Sequence, residues 1–301
     1  MNDFNNARGR RPARRRANTQ PTPAAPANSP PVQPVQPSNK VGMKYITELL
    51  NAKLPAIAKV IPPGLGITAE GLVQNALQQI VTAADRRKLM MSSPHTVLYS
   101  ILCAARLGLD FVADQAYLVA MTKWEKDPES GQKVAAGTYT VLWPGYKGLI
   151  SIAARAGFAL TTQEVRENDV CNIVAGTENK IDHKIGFGPR GNTVGVYCVI
   201  RNKATNEVVG IEVMGNEDLE KVDTNTAIWR AFPGEMARKS VIKRAVKWLP
   251  KDHADLRLVS TVEQRIDNEE PLDGLLPEAD PEPAAGDDTL NSLDDDKDFP
   301  V

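Results

Sequence analysis

The sequence predicts an α+β fold, with helices flanking a small antiparallel sheet in a single core between two low-complexity arms. Three observations lead there. Apolar residues recur at helical spacing early and late in residues 41–262, while the middle carries short β-rich runs bounded by turn residues. The order is helices, then strands, then helices, which is not the regular strand–helix alternation of a parallel sheet. Composition departs from globular values before residue 41 and after residue 262.

Each element follows from local rules. Thr68 is placed to cap a helix carrying Leu72, Val73, Ala76, Leu77 and Ile80 on one face. Ser93-Pro94 reads as an N-cap followed by proline at the first helical position. The helix it opens buries Val97, Leu98, Ile101, Leu102 and Ala105, and Gly108 ends it. A strand over 116–123 is linked to a second over 138–143 by a turn at Asp127-Pro128-Glu129-Ser130-Gly131. Pro144-Gly145 breaks the second strand, and a short helix over about 147–156 ends at Gly157. A further hairpin joins 193–201 to 208–214 through Ala204-Thr205-Asn206. The last predicted helix covers 234–249 and is stopped by Pro250.

The net charge of −1 conceals a polarised chain. Residues 1–40 hold seven basic residues and one acidic; residues 261–301 hold two basic and fourteen acidic; the stretch between holds 27 and 22. Six arginines from Arg8 to Arg16 and eight prolines from Pro12 to Pro37 leave the arm 1–40 almost nothing to bury, so disorder is expected there. The tail 263–301, with Glu269-Glu270, Pro271, Pro277, Pro281, Pro283 and Asp294-Asp295-Asp296, reads the same way. A basic arm, a mildly basic core and an acidic tail imply a polyanionic partner and something that competes with it. Cys103, Cys171 and Cys198 form no C-x-x-C pair and fit a reducing compartment. No apolar run reaches membrane-span length and no secretory signal is present, so a cytoplasmic protein without membrane partners is expected.

The most informative segment runs from Glu235 to Pro250. On a helical wheel Ala237, Val241, Ile242, Ala245, Trp248 and Leu249 share one side. Lys239, Lys243 and Lys247 form an i, i+4, i+8 row on the other, with Arg244 beside it. No Asp or Glu lies between Glu235 and Asp252 to neutralise that row within the helix. Ammonium groups spaced by one helical turn can track a phosphate backbone, and counterion release supplies binding energy. The competing reading is a solvated helix face. Arg238 falls nearer the apolar side, where a DNA contact competes with pairing to a buried carboxylate.

A second segment is Trp143-Pro144-Gly145-Tyr146-Lys147-Gly148, at a strand-to-helix junction. Its glycines would admit a ligand backbone, Tyr146 can stack a base, and Lys147 can meet a phosphate near a helix start. The alternative is a tight turn with Tyr146 on the core. Arg155, further along the same helix, joins the candidate set.

Other patterns carry less. Gly186-Phe187-Gly188-Pro189-Arg190-Gly191 spells a dinucleotide fingerprint, but Pro189 interrupts it and a strand follows, so a hairpin loop is expected, with Arg190 a weak DNA candidate. His95, His183 and His253 lack metal-ligand spacing. There is no P-loop and no G-x-S-x-G elbow. No cofactor, metal or catalytic residue is therefore assigned, and a binding protein is favoured over an enzyme.

At these residues the sequence resembles the RecT family of phage single-strand annealing proteins. Three blocks carry the resemblance: Leu98–Tyr117 with Leu107-Gly108-Leu109-Asp110; Val141–Gly157 with Pro-Gly-Tyr-Lys-Gly-Leu-Ile; and Glu235-Met-Ala-Arg-Lys through Lys247-Trp248-Leu249-Pro250. They occur in family order. Two departures are Val119-Ala120-Met121 where the family often has Pro-Phe after Ala-Tyr-Leu, and Lys147 where it often has arginine.

The resemblance implies an annealing core at 41–262 that binds single-stranded DNA and pairs complementary strands without ATP in phage-type homologous recombination. It also implies a homo-oligomer, as a ring or helical filament, holding single strands and annealed duplex in a bacterial host cell. A 5′→3′ exonuclease and a host single-stranded-DNA-binding protein are implied as partners. The tip Asp294-Asp295-Asp296 with Phe299-Pro300 resembles the acidic tip of bacterial single-stranded-DNA-binding proteins, against the plainer reading of a solubilising tail. The functional alternatives are a non-annealing DNA coat, a metal-dependent nuclease and a structural phage protein.

Overall fold

The computed structural model describes residues 42–276 apart from 129 and 223–226. The arm 1–40 and the Asp294–Pro300 tip lie outside the described residues. Five helices come first: α1 (Met43–Ala52), α2 (Leu54–Val60), α3 (Ala69–Thr82), α4 (Arg86–Met91) and α5 (Pro94–Arg106). Strands β1 (Ala116–Lys126) and β2 (Lys133–Pro144) follow, then α6 (Tyr146–Arg155). Next are β3 (Phe158–Arg166), β4 (Val170–Val174), β5 (Lys180–Lys184), β6 (Thr193–Asn202) and β7 (Val208–Gly215). The described chain closes with α7 (Asn216–Val222), α8 (Ala227–Ala231), α9 (Pro233–Trp248) and α10 (Ala254–Asp267). The α+β class holds, but the strands form three antiparallel sheets: β1–β2, β3–β6–β7 and β4–β5.

Helix α5 is the central post, with ten of its thirteen residues buried, including Val97, Leu98, Ile101 and Leu102. Truncating such a side chain to alanine costs about 2–5 kcal/mol. Two buried hydroxyls tie α5 to β2. Ser100 donates to the Thr140 carbonyl at 3.1 Å, and Thr140 N–H donates to Thr96 Oγ1 at 3.0 Å. Thr68 caps α3 as expected, accepting from Gly71 N–H at 3.1 Å. Ser93 does not cap α5 with its side chain; its own N–H donates to the Thr138 carbonyl at 3.2 Å, which joins this helix start to β2 instead.

The outer edge of β1 is closed by a side chain. Gln79 on α3 accepts from Leu118 N–H at 2.6 Å and donates to the Ala116 carbonyl at 3.2 Å. Both of its amide valences thus mimic a neighbouring strand.

Helix α9 packs across β3, β6 and β7 and touches α6, while α10 covers β2 and α6. Composition places the end of the core at residue 262, yet α10 crosses that point and Ile266 and Leu272 are buried. Its apolar positions Leu256, Val259, Val262 and Ile266 sit at helical spacing among charges, and tertiary contact overrides the acidic composition. The Gly186–Gly191 segment joins β5 to β6, which belong to different sheets, so it is not a hairpin loop.

Candidate nucleic-acid interface

The two segments singled out by sequence meet. Helix α6 begins where β2 ends, and α6 lies against α9. Lys239 Nζ sits 5.5 Å from the Tyr146 ring centroid, and Lys243 Nζ sits 4.9 Å from that of Trp143. Lys147 approaches Tyr146 from its own helix at 5.8 Å. The surface alternates cations with half-buried aromatic rings, a pattern suited to phosphates and base faces.

The lysines differ in their acidic surroundings. Among the described residues, Lys239 and Lys243 have no carboxylate oxygen within 4 Å. Lys247 is 3.6 Å from Asp267 on α10. Lys147 is 3.0 Å from Asp114, whose carboxyl is held below its ordinary range by hydrogen bonds from Lys147 and from the Tyr117 hydroxyl. Burial and the neighbouring Asp114 push Tyr117 up to about 12, so it remains a neutral donor to that carboxylate.

The arginines are engaged within the protein. Arg244 on α9 contacts Glu212 at 2.8 Å and Asp218 at 3.2 Å. Arg238 lies 3.9 Å from Glu164 on β3, a carboxylate only 6% exposed, so the carboxylate side of the sequence alternative is the one met here. Arg155 meets Asp255 at 3.2 Å, Ser151 at 3.0 Å and the Leu107 carbonyl, and so staples α6 to α10 and to the end of α5. Its guanidinium is spent on the fold. Arg190 is likewise taken, by Asp169 at 2.6 and 2.9 Å, and His183 hydrogen-bonds the same carboxylate and the Tyr197 hydroxyl.

The glycines of the junction serve the protein rather than a ligand. A Cβ on Gly145 would meet the Asp114 carbonyl oxygen at 2.1 Å, and one on Gly148 the Gln115 carbonyl oxygen at 2.2 Å. They let the 114–115 backbone cross the junction closely. That crossing brings Asp114 to Lys147.

A family model for the RecT family matches residues 70–273. The chain belongs to the RecT family. Protein RecT of Escherichia coli (strain K12) is 28% identical over 215 residues, spanning 68% of this chain and 74% of that protein. All three sequence blocks lie inside the matched region.

The RecT-family core brings Tyr146, Lys147, Lys239, Lys243 and Lys247 onto one surface and assigns Arg155, Arg238 and Arg244 to internal ion pairs. Sequence reasoning missed one participant and misplaced another residue. Trp143 was read only as part of the junction, yet it is the ring beneath Lys243. Trp248, placed on the apolar side by its spacing, is 76% exposed, while Val246 and Leu249 on either side of it are buried. Among the described residues, no group of three or more His, Cys, Asp or Glu is placed to hold a metal ion. No helix among them is long and apolar enough to cross a membrane.

Proposed function

We propose that this RecT-family protein binds single-stranded DNA on the surface shared by α9 and the β2–α6 junction and anneals complementary strands without ATP. The observation that carries the reading is the convergence of Lys239 and Lys243 on the rings of Tyr146 and Trp143. Cations on this surface take the phosphates, and each ion released from the strand contributes to affinity. Aromatic faces take bases without reading sequence, which suits a protein that must accept any strand. Bases left facing outward pair with a second strand. That pairing supplies the driving force, so the protein needs no nucleotide hydrolysis and no catalytic side chain.

Family membership supports a place in phage-type homologous recombination in the bacterial cytoplasm. It also supports a homo-oligomer, as a ring or filament, working beside a 5′→3′ exonuclease and a host single-stranded-DNA-binding protein. The test is a mixing experiment. Two complementary oligonucleotides are combined with the full chain in nucleotide-free buffer and again with ATP. Accelerated pairing, equal in both buffers, is expected. Pairing no faster than in protein-free buffer overturns the reading, and acceleration only with ATP overturns its ATP-independent part.

A further inference from the structure

Helix α10 brings two carboxylates to the end of the lysine row. Asp267, with its side chain 68% exposed, lies 3.6 Å from Lys247, which is 58% exposed. One helical turn earlier, Glu263 is 8% exposed and lines a small cavity with Trp143, Lys243, Lys247 and Asp267. Its Oε1 has no hydrogen-bond partner. Burial raises the Glu263 carboxyl above its ordinary range, while Lys243, Lys247 and Lys251 pull it the other way. A buried acceptor left without a donor costs stability, about 1–3 kcal/mol in ordinary cases. An apolar residue in place of Glu263 would spare that cost, so stability alone gives no reason for this acid.

We infer that Glu263 and Asp267 act as an intramolecular competitor for the DNA backbone, limiting how tightly the α9 lysines hold a strand. The inference rests on the reading of α9 as the DNA surface. Asp267 occupies Lys247 where a phosphate would go, and an incoming strand must displace it. Glu263 stays in place behind Lys243 and Lys247 and, when ionised, subtracts from their field whether or not DNA is present. Both effects act on the end of the row nearest α10 and leave Lys239 untouched. A weakened end lets a strand detach stepwise, which an annealing surface needs once its product has formed.

The experiment measures binding of a fluorescent oligo-dT to the full chain by anisotropy at roughly 0.1 M salt. The variants are Asp267→Asn and Glu263→Gln, with Lys243→Gln as a check on the surface. Asp182→Asn supplies the same charge change on β5. Asp267→Asn is expected to tighten binding about threefold, the scale of an exposed ion pair. Glu263→Gln should tighten it by a similar factor, and Asp182→Asn should change nothing. Wild-type affinity in both α10 variants, with Lys243→Gln still weakened, overturns the competitor and leaves the surface standing. Equal tightening by Asp182→Asn overturns it too, because net charge then explains the gain. Unchanged binding in Lys243→Gln as well means the surface itself is misassigned.

Discussion

Replacing Lys239 and Lys243 by glutamine tests the interface most directly, because these two cations rest on aromatic rings and, among the described residues, have no carboxylate oxygen within 4 Å. Affinity for a single strand falls with salt with a log–log slope of about −0.7 per neutralised phosphate. Each lysine therefore contributes a slope of about 0.7, and at roughly 0.1 M salt a factor of about 5 relative to 1 M. The double variant should lose a slope of about 1.4 and bind about 25-fold more weakly, close to 2 kcal/mol. Lys247→Gln should lose less, since Asp267 already offsets that charge. The assay is oligonucleotide anisotropy titrated at four or five salt concentrations. Each substitution also gives up a cation–π contact of about 0.5–1 kcal/mol, so melting should fall only a few degrees. A double variant that melts like the parent and keeps the parent's salt slope refutes the reasoning.

Three further outcomes follow from the fold. Gly145→Ala would drive a methyl into the Asp114 carbonyl, and overpacking of this kind costs about 1–3 kcal/mol; a lower urea midpoint checks it. Arg155→Leu leaves buried Asp255 with Arg106, at 3.7 Å, as its one remaining ion-pair partner among the described residues, so a loss of about 3 kcal/mol is expected, read by calorimetry. DNA affinity of the folded fraction should change little. Glu263 has a raised carboxyl, so folding favours its protonated form; that contribution is complete below the ordinary carboxylate range and disappears as pH rises through the raised value. Glu263→Gln should therefore raise the melting temperature near pH 7.5 more than near pH 4, and an equal shift at both would contradict the assignment.

What the sequence disclosed was local. The Thr68 cap, the α3 and α5 stripes, the break at Pro144-Gly145 and the lysine spacing of α9 are all written in residues a few positions apart. Strand β3 escaped notice because most of its residues are only half-buried, so no clean alternation marks it. Helix α10 escaped because its apolar positions are embedded in charge. The arginine partners were out of reach for a different reason. Arg155 meets a carboxylate 100 residues away, and Arg244 meets Glu212 and Asp218 on β7 and α7. Charge counting along one helix sees a cation but cannot see what another element brings to it. The same limit made Gly145 and Gly148 look like an opening for a ligand, when the neighbour they admit is the chain's own Asp114–Gln115 backbone.

The Gln79 side chain has a consequence for crowded solutions. Leu118 N–H and Ala116 C=O would otherwise be open rungs on the free margin of a β-ribbon, and such rungs recruit extended segments from other molecules. By occupying both, one amide denies a stray polypeptide its first foothold there, which guards against self-templated fibre growth at no expense to the ribbon's own pairing.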